Sequence, residues 1–157
     1  MNFKKLLCAA LAPVMLFTAC SGGGQTADID PSEAVKAVLE EIPISSSVEK
    51  GTEDVKTYYG DVDISELDSA SFALCGSGSM PDEIAVLKFK TDKAAKAAEE
   101  GLQAKLDHQT ELFKDYTPDE MYKLETAKVY STGNYAVYLA LADNEKAKTI
   151  VDEKLKG

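Results

Sequence analysis

Cys75 and His108 are the one thiol and imidazole that could pair as nucleophile and base, because the chain has a single histidine and its other cysteines, Cys8 and Cys20, stand near the start. A cysteine hydrolase or transpeptidase needs a thiolate held against an imidazole in a defined pocket. Cys75, however, closes an apolar run, where cysteine acts as a small hydrophobe. His108 follows Leu106 by two residues, about 200° around a helix and away from its apolar stripe. The two therefore read as a buried thiol and a solvated imidazole.

Two carboxylate clusters invite other chemistry. Asp61-Val62-Asp63-Ile64-Ser65-Glu66-Leu67-Asp68 has the density of a calcium loop. An EF-hand, however, requires glycine at its sixth position and glutamate at its twelfth, where Glu66 and Phe72 stand. Asp63 is expected to cap a turn, with the other acids in water. Asp82-Glu83 lies between the loop Gly76-Ser77-Gly78-Ser79 and an apolar strand. A rim of two carboxylates there could hold a cation or an amine, or Pro81-Asp82 could simply turn the chain and leave Glu83 solvated. The Gly/Ser loop lacks the lysine and following helix of a phosphate loop. Among seven tyrosines, Tyr130, Tyr135 and Tyr138 could line a stacking groove for a glycan or peptide, or seal a core margin with their hydroxyls wet. Asp82, Glu83, Tyr130, Tyr135 and Tyr138 are the candidate ligand-binding residues. No metal site and no cofactor motif is assigned.

The elements that must position these residues follow from periodicity. Asp30-Pro31-Ser32-Glu33 opens a helix carrying Val35, Val38, Leu39 and Ile42, and Pro43 ends it. Ser45 to Ser47 reads as a loop, and Thr52 to Tyr59 as a short second helix. Ser69 to Cys75 and Ile84 to Phe89 read as strands, the second nearly continuous in apolar residues and so interior. Ala95, Ala98, Leu102, Leu106 and Phe113 mark the longest helix, beginning at Thr91-Asp92. Thr117-Pro118-Asp119-Glu120 starts a short one. Lys128 to Tyr130 and Tyr135 to Leu141 form a hairpin around Gly133. Asp143-Asn144 precedes a last helix with Ala147, Ile150, Val151 and Leu155 inward. The order ααββα(α)ββα predicts an α+β fold with an antiparallel four-stranded sheet and packed helices.

The amino terminus speaks to location. Met1 to Lys5 is basic and Leu6 to Ala19 almost wholly apolar, a run of 14 residues where a membrane-spanning helix needs roughly 20. This is the plan of a secretory leader. Phe17-Thr18-Ala19-Cys20 resembles the bacterial lipobox, with phenylalanine in place of the usual leucine. The resemblance implies a diacylglyceryl thioether on Cys20 and cleavage before it. Residues 1–19 are then a lipoprotein signal peptide, 20–30 a tether rich in glycine, and 31–157 a single domain. Two acyl chains give stable anchoring where one does not. With Cys8 removed and Cys20 acylated, Cys75 is left without a disulfide partner.

Seventeen basic residues, all lysine, face 27 acids for a formal charge of −10. Losing Lys4 and Lys5 with the leader makes it −12. Such a surface repels phosphate backbones and anionic headgroups, which excludes nucleic-acid partners and docking through basic patches.

Tyr59-Gly60 with Ile64, Pro81-Asp82-Glu83-Ile84-Ala85-Val86-Leu87-Lys88, the long polar helix running into Tyr116-Thr117-Pro118, and the hairpin at Gly133-Asn134-Tyr135 together resemble the family called domain of unknown function 4358. The resemblance spans roughly Ser32 to Leu155. It implies a small lipoprotein of Clostridia-type bacteria with one such domain, and it assigns no activity to any residue. The expectation is a lipid-anchored lipoprotein on the extracytoplasmic face of the membrane. It would be a non-catalytic binding or interaction module for an envelope protein. The alternative is a weak cation or small-ligand binder at a surface groove, with an envelope hydrolase a distant third.

Overall fold

The computed structural model describes residues 26–156. Cys20, the leader and the first part of the tether lie outside them. Helix α1 (Pro31–Glu41) starts where Asp30 accepts a hydrogen bond from the Ser32 amide at 2.8 Å, with Pro31 in the first turn. Strand β1 (Ser47–Gly51), a 3₁₀ turn (Thr52–Asp54) and α2 (Val55–Tyr58) follow, then β2 (Leu67–Cys75) and β3 (Glu83–Phe89). Helix α3 (Asp92–Phe113) is capped by Thr91 Oγ1. A 3₁₀ turn (Pro118–Glu120), α4 (Met121–Glu125), β4 (Lys128–Thr132), β5 (Tyr135–Ala140) and α5 (Asn144–Lys156) complete the chain. Among the described residues, no helix is long and apolar enough to cross a membrane.

The α+β class holds, but the sheet has five strands, not four. Its order is β1-β2-β3-β5-β4, every pair antiparallel. The added strand is β1, whose first residue, Ser47, the sequence pattern places in a loop. It pairs Ser47 with Cys75 and Gly51 with Ser71. As an edge strand with one partner and a half-exposed surface, it carries a single apolar side chain, Val48, and so shows no alternation to read.

Helices cover both faces. On one, α1 and α5 pack Val35, Val38, Val151 and Leu155 onto Ile84, Val86, Tyr135, Val137 and Leu139. On the other, α3 packs Ala95, Ala98 and Leu102 onto Phe72, Ala85, Leu87, Phe89 and Tyr138. The pleat sends alternate residues of β3 and β5 into the two cores, which explains why β3 reads as a continuous apolar run.

The two ends of the sheet differ in what they hold. At one, Leu67 stands opposite Phe89 and Tyr135 opposite Lys88, and the described chain begins there. Ala27 N donates to Leu155 O at 2.7 Å, and Ile29 N donates to the Tyr135 hydroxyl at 3.0 Å. Ala27 and Ile29, ahead of α1, are thus fastened to the rest of the fold. Gly133 at the hairpin tip has φ +51°, and a Cβ there would stand 2.3 Å from Thr26 Oγ1. Glycine meets both the backbone and the space requirement. The opposite end gathers Cys75, Glu83, Ala140 and the close of α3.

Candidate functional site

Asp82 and Glu83 stand where β3 begins, at the end remote from Thr26. Glu83 shares the α3 face with Ala85, Leu87 and Phe89 and is 2% exposed, so it is a buried carboxylate where sequence alone left it on a wet rim or turn. Three donors converge on it. Tyr59 donates its hydroxyl hydrogen to Oε1, Gln109 Nε2 donates to Oε2 at 2.8 Å, and Lys105 Nζ lies 3.2 Å from Oε1. Tyr138 in turn donates to Gln109 Oε1. Lys105 also reaches Tyr58 O at 3.3 Å and stands 4.8 Å from the Tyr59 ring centre. Burial, followed by the Glu83 charge, holds the Tyr59 and Tyr138 phenols well above their ordinary range.

Asp82 is engaged separately. Lys123 Nζ donates to its Oδ2 at 2.7 Å. Glu120 Oε2 lies 2.5 Å from the same ammonium, a charge contact and not an aligned hydrogen bond. Burial pulls the Lys123 ammonium down, yet the Asp82 hydrogen bond and the Glu120 charge outweigh it and hold the group above an ordinary lysine. Asn144 ties the same corner to α5, donating to Lys123 O at 2.9 Å and accepting from Leu141 N at 2.8 Å. The two carboxylates do hold amines, and both amines are the protein's own lysines.

The three hairpin tyrosines do not form one groove. Tyr138 faces α3, whereas Tyr135 and Tyr130 face α1 and α5. Tyr135 and Tyr138 are fully buried. The Tyr135 hydroxyl holds the Ala27–Ile29 segment, and Tyr130 donates to Asp152 Oδ1 at 3.1 Å beneath the Lys148 ammonium.

Cys75 and His108 fall on opposite sides of the sheet. Cys75 is buried in the α1/α5 core, with Sγ 3.2 Å from Ser77 Oγ, and that hydrogen bond lowers the thiol below its usual value. His108 is exposed on α3. Asp63 accepts from Ser65 N at 2.9 Å and closes a turn. Among the described residues, no three His, Cys, Asp or Glu side chains group to hold a metal ion.

Above the Glu83 cluster lies a cleft of about 120 Å³ bordered by Tyr58, Gly60, Asp61, Lys105, His108 and Gln109. Small-molecule pockets commonly measure ~300–1,000 Å³. Lys105, Gln109, Tyr59, Lys123 and Asn144 were not singled out from sequence. One signal was present: Gln109 occupies the place in the rhythm Leu102, Leu106, Phe113 where α3 should present an apolar residue. A polar residue at such a place needs a buried partner.

No curated protein and no solved structure matches the chain. The family model described as "Domain of unknown function (DUF4358)" matches residues 40–141, a narrower span than the resemblance from Ser32 to Leu155, and takes in the sheet, α3 and both lysine-paired carboxylates but leaves out most of α1 and all of α5. The chain belongs to the DUF4358 family.

Proposed function

We propose that this protein is a lipid-anchored lipoprotein on the extracytoplasmic face of a bacterial cell membrane, and that it works there by binding a partner and not by catalysis. The leader and the Phe17-Thr18-Ala19-Cys20 motif support the anchor. The observation that carries the binding half is that Asp82 and Glu83, the carboxylates best placed for chemistry, are each buried against an internal lysine. A general acid or base must reach substrate, directly or through one water, and these side chains are turned to bracing the fold. Cys20→Ala is expected to leave an unprocessed precursor without palmitate label. A variant still cleaved and acylated would overturn the anchor. Turnover of an envelope substrate by the purified chain would overturn the binding reading.

The cleft beside Lys105 and His108 favours a second reading, a weak site for a small ligand. A thermal-shift screen with calcium, amino acids, sugars and glycan fragments tests it. A flat response rules it out.

A further inference from the structure

The large apolar side chains that the described residues leave exposed are Val48, Met80, Leu112, Tyr116 and Tyr122. Scattered exposed apolar residues are ordinary, but these five all fall toward one end of the sheet. Val48 pairs with Leu74 near the close of β2, and Met80 lies in the β2–β3 connection. Leu112 (58% exposed) and Tyr116 (66% exposed) stand at and just past the last turn of α3. Tyr122 precedes Lys123, which bonds Asp82. All five belong to the end of the sheet opposite Thr26, where the chain comes in from its amino terminus.

The same end is strongly acidic. Glu111 to Glu125 holds five carboxylates and two lysines. Both lysines are engaged, Lys114 with Glu111 and Lys123 with Asp82 and Glu120. Beside Tyr122 opens a groove of about 400 Å³ walled by Glu125, Asp143 and Glu145, and its one lysine, Lys128, pairs with Glu145 at 2.5 Å. A ring edged by carboxylates suits a lysine or arginine side chain, which gains ring and charge contacts together.

We propose that this end is the docking face for a protein segment in which lysine or arginine alternates with apolar side chains. The proposal rests on the binding-module reading and gives it a face and a partner class. Anchor residues at the centre of an interface are aromatic and apolar, and charge at the rim steers the partner. An anionic lipid or phosphate is repelled by the carboxylates. A second copy meeting this end with its own would set acid against acid.

The test uses the full chain in detergent and three short synthetic peptides labelled for fluorescence anisotropy: alternating lysine and leucine, glutamate and leucine, and serine and leucine. The lysine peptide alone is expected to bind, more weakly as salt rises. Leu112→Ser/Tyr116→Ser should weaken it by about tenfold or more, the loss of one anchor. Glu125→Lys/Asp143→Lys should weaken it and flatten the salt dependence. Glu100→Lys/Glu153→Lys, the same charge change on exposed residues nearer the Thr26 end, should leave binding unchanged. Equal loss in that last variant, unchanged binding in the serine variant, or self-association that needs Leu112 and Tyr116 would each overturn the docking face. Failure to bind any peptide would also overturn it, while leaving the binding-module reading to the turnover assay.

Discussion

Lys105 Nζ lies 3.2 Å from Glu83 Oε1, and Asp82, one residue earlier, takes Lys123 at 2.7 Å. Two neighbouring acids at one strand end are thus neutralised by lysines from two different helices, α3 and α4. A buried pair adds little over an apolar substitute of the same shape, but removing one partner leaves a buried charge uncompensated.

Lys105→Met is expected to destabilise the domain by about 3 kcal/mol, the lower part of the range for a broken buried pair, because the lysine keeps some contact with water. Lys105→Met/Glu83→Gln should recover most of that loss, since glutamine still accepts from Tyr59 and carries no charge. Urea denaturation measures both. A single-variant cost within about 0.5 kcal/mol, the size of a surface substitution, would show that the pair does not brace the fold.

Alkaline pH acts through the phenols. Burial, reinforced by Glu83 at Tyr59 and Tyr138 and by Asp152 at Tyr130, raises all three above the ordinary value of 10.0. A raised folded value means that the contribution is whole below about pH 10 and is lost above it, where the unfolded chain releases protons that the folded chain keeps. Each phenol should then remove roughly 1.4 kcal/mol per pH unit. Absorbance at the tyrosinate band is expected to show the Tyr59, Tyr130 and Tyr138 phenols appearing with unfolding, and one phenol fewer doing so in Tyr59→Phe. Smooth ionisation of all seven before any loss of helix signal would contradict the buried cluster.

The sequence displayed what periodicity and capping encode. Asp30-Pro31 and Thr91-Asp92 begin helices as expected, and Gly133 turns the hairpin with positive φ. It hid what depends on tertiary placement. Strand β1 has one apolar residue and exists through its ladder to β2. Glu83 looked solvated because the side chains that meet it, Tyr59, Lys105 and Gln109, come from other elements distant from it in sequence. Tyr130, Tyr135 and Tyr138 looked like one surface, yet Tyr135 and Tyr138 differ by an odd number of residues along one strand and must face opposite ways.

Gly101→Ala sets helix propensity against packing. Alanine in the middle of a helix gains about 1 kcal/mol over glycine. Yet a Cβ at Gly101 would stand 2.5 Å from Asp61 O and 2.8 Å from Val62 Cα, both backbone. The α3 axis or the 61–62 loop must move, and overpacking of this kind costs roughly 1–3 kcal/mol. The expected outcome is a lower melting temperature. A higher one would mean that the loop yields freely and that Gly101 is not what lets it approach α3.

Tyr135→Phe isolates the fastening of the segment ahead of α1. The hydroxyl accepts from Ile29 N at 3.0 Å and, with one hydrogen to give, lies 2.9 Å from Ile29 O and 3.1 Å from Ala27 O. The ring is buried and stays in place in the variant, so packing is unchanged. The Ile29 amide loses its acceptor, at a cost of about 1–3 kcal/mol if it remains buried. The Thr26–Asp30 segment can escape that cost by lifting off, whereas β3 cannot. Amide exchange at Ile29 is therefore expected to quicken by roughly tenfold or more, one decade per 1.4 kcal/mol, while exchange at Val86 in the middle of the sheet is unchanged. Equal quickening at both would mean that the hydroxyl supports the whole core. No change at Ile29 would mean that Ala27 N on Leu155 O holds the segment alone, leaving Tyr135 no part in fixing the chain ahead of α1.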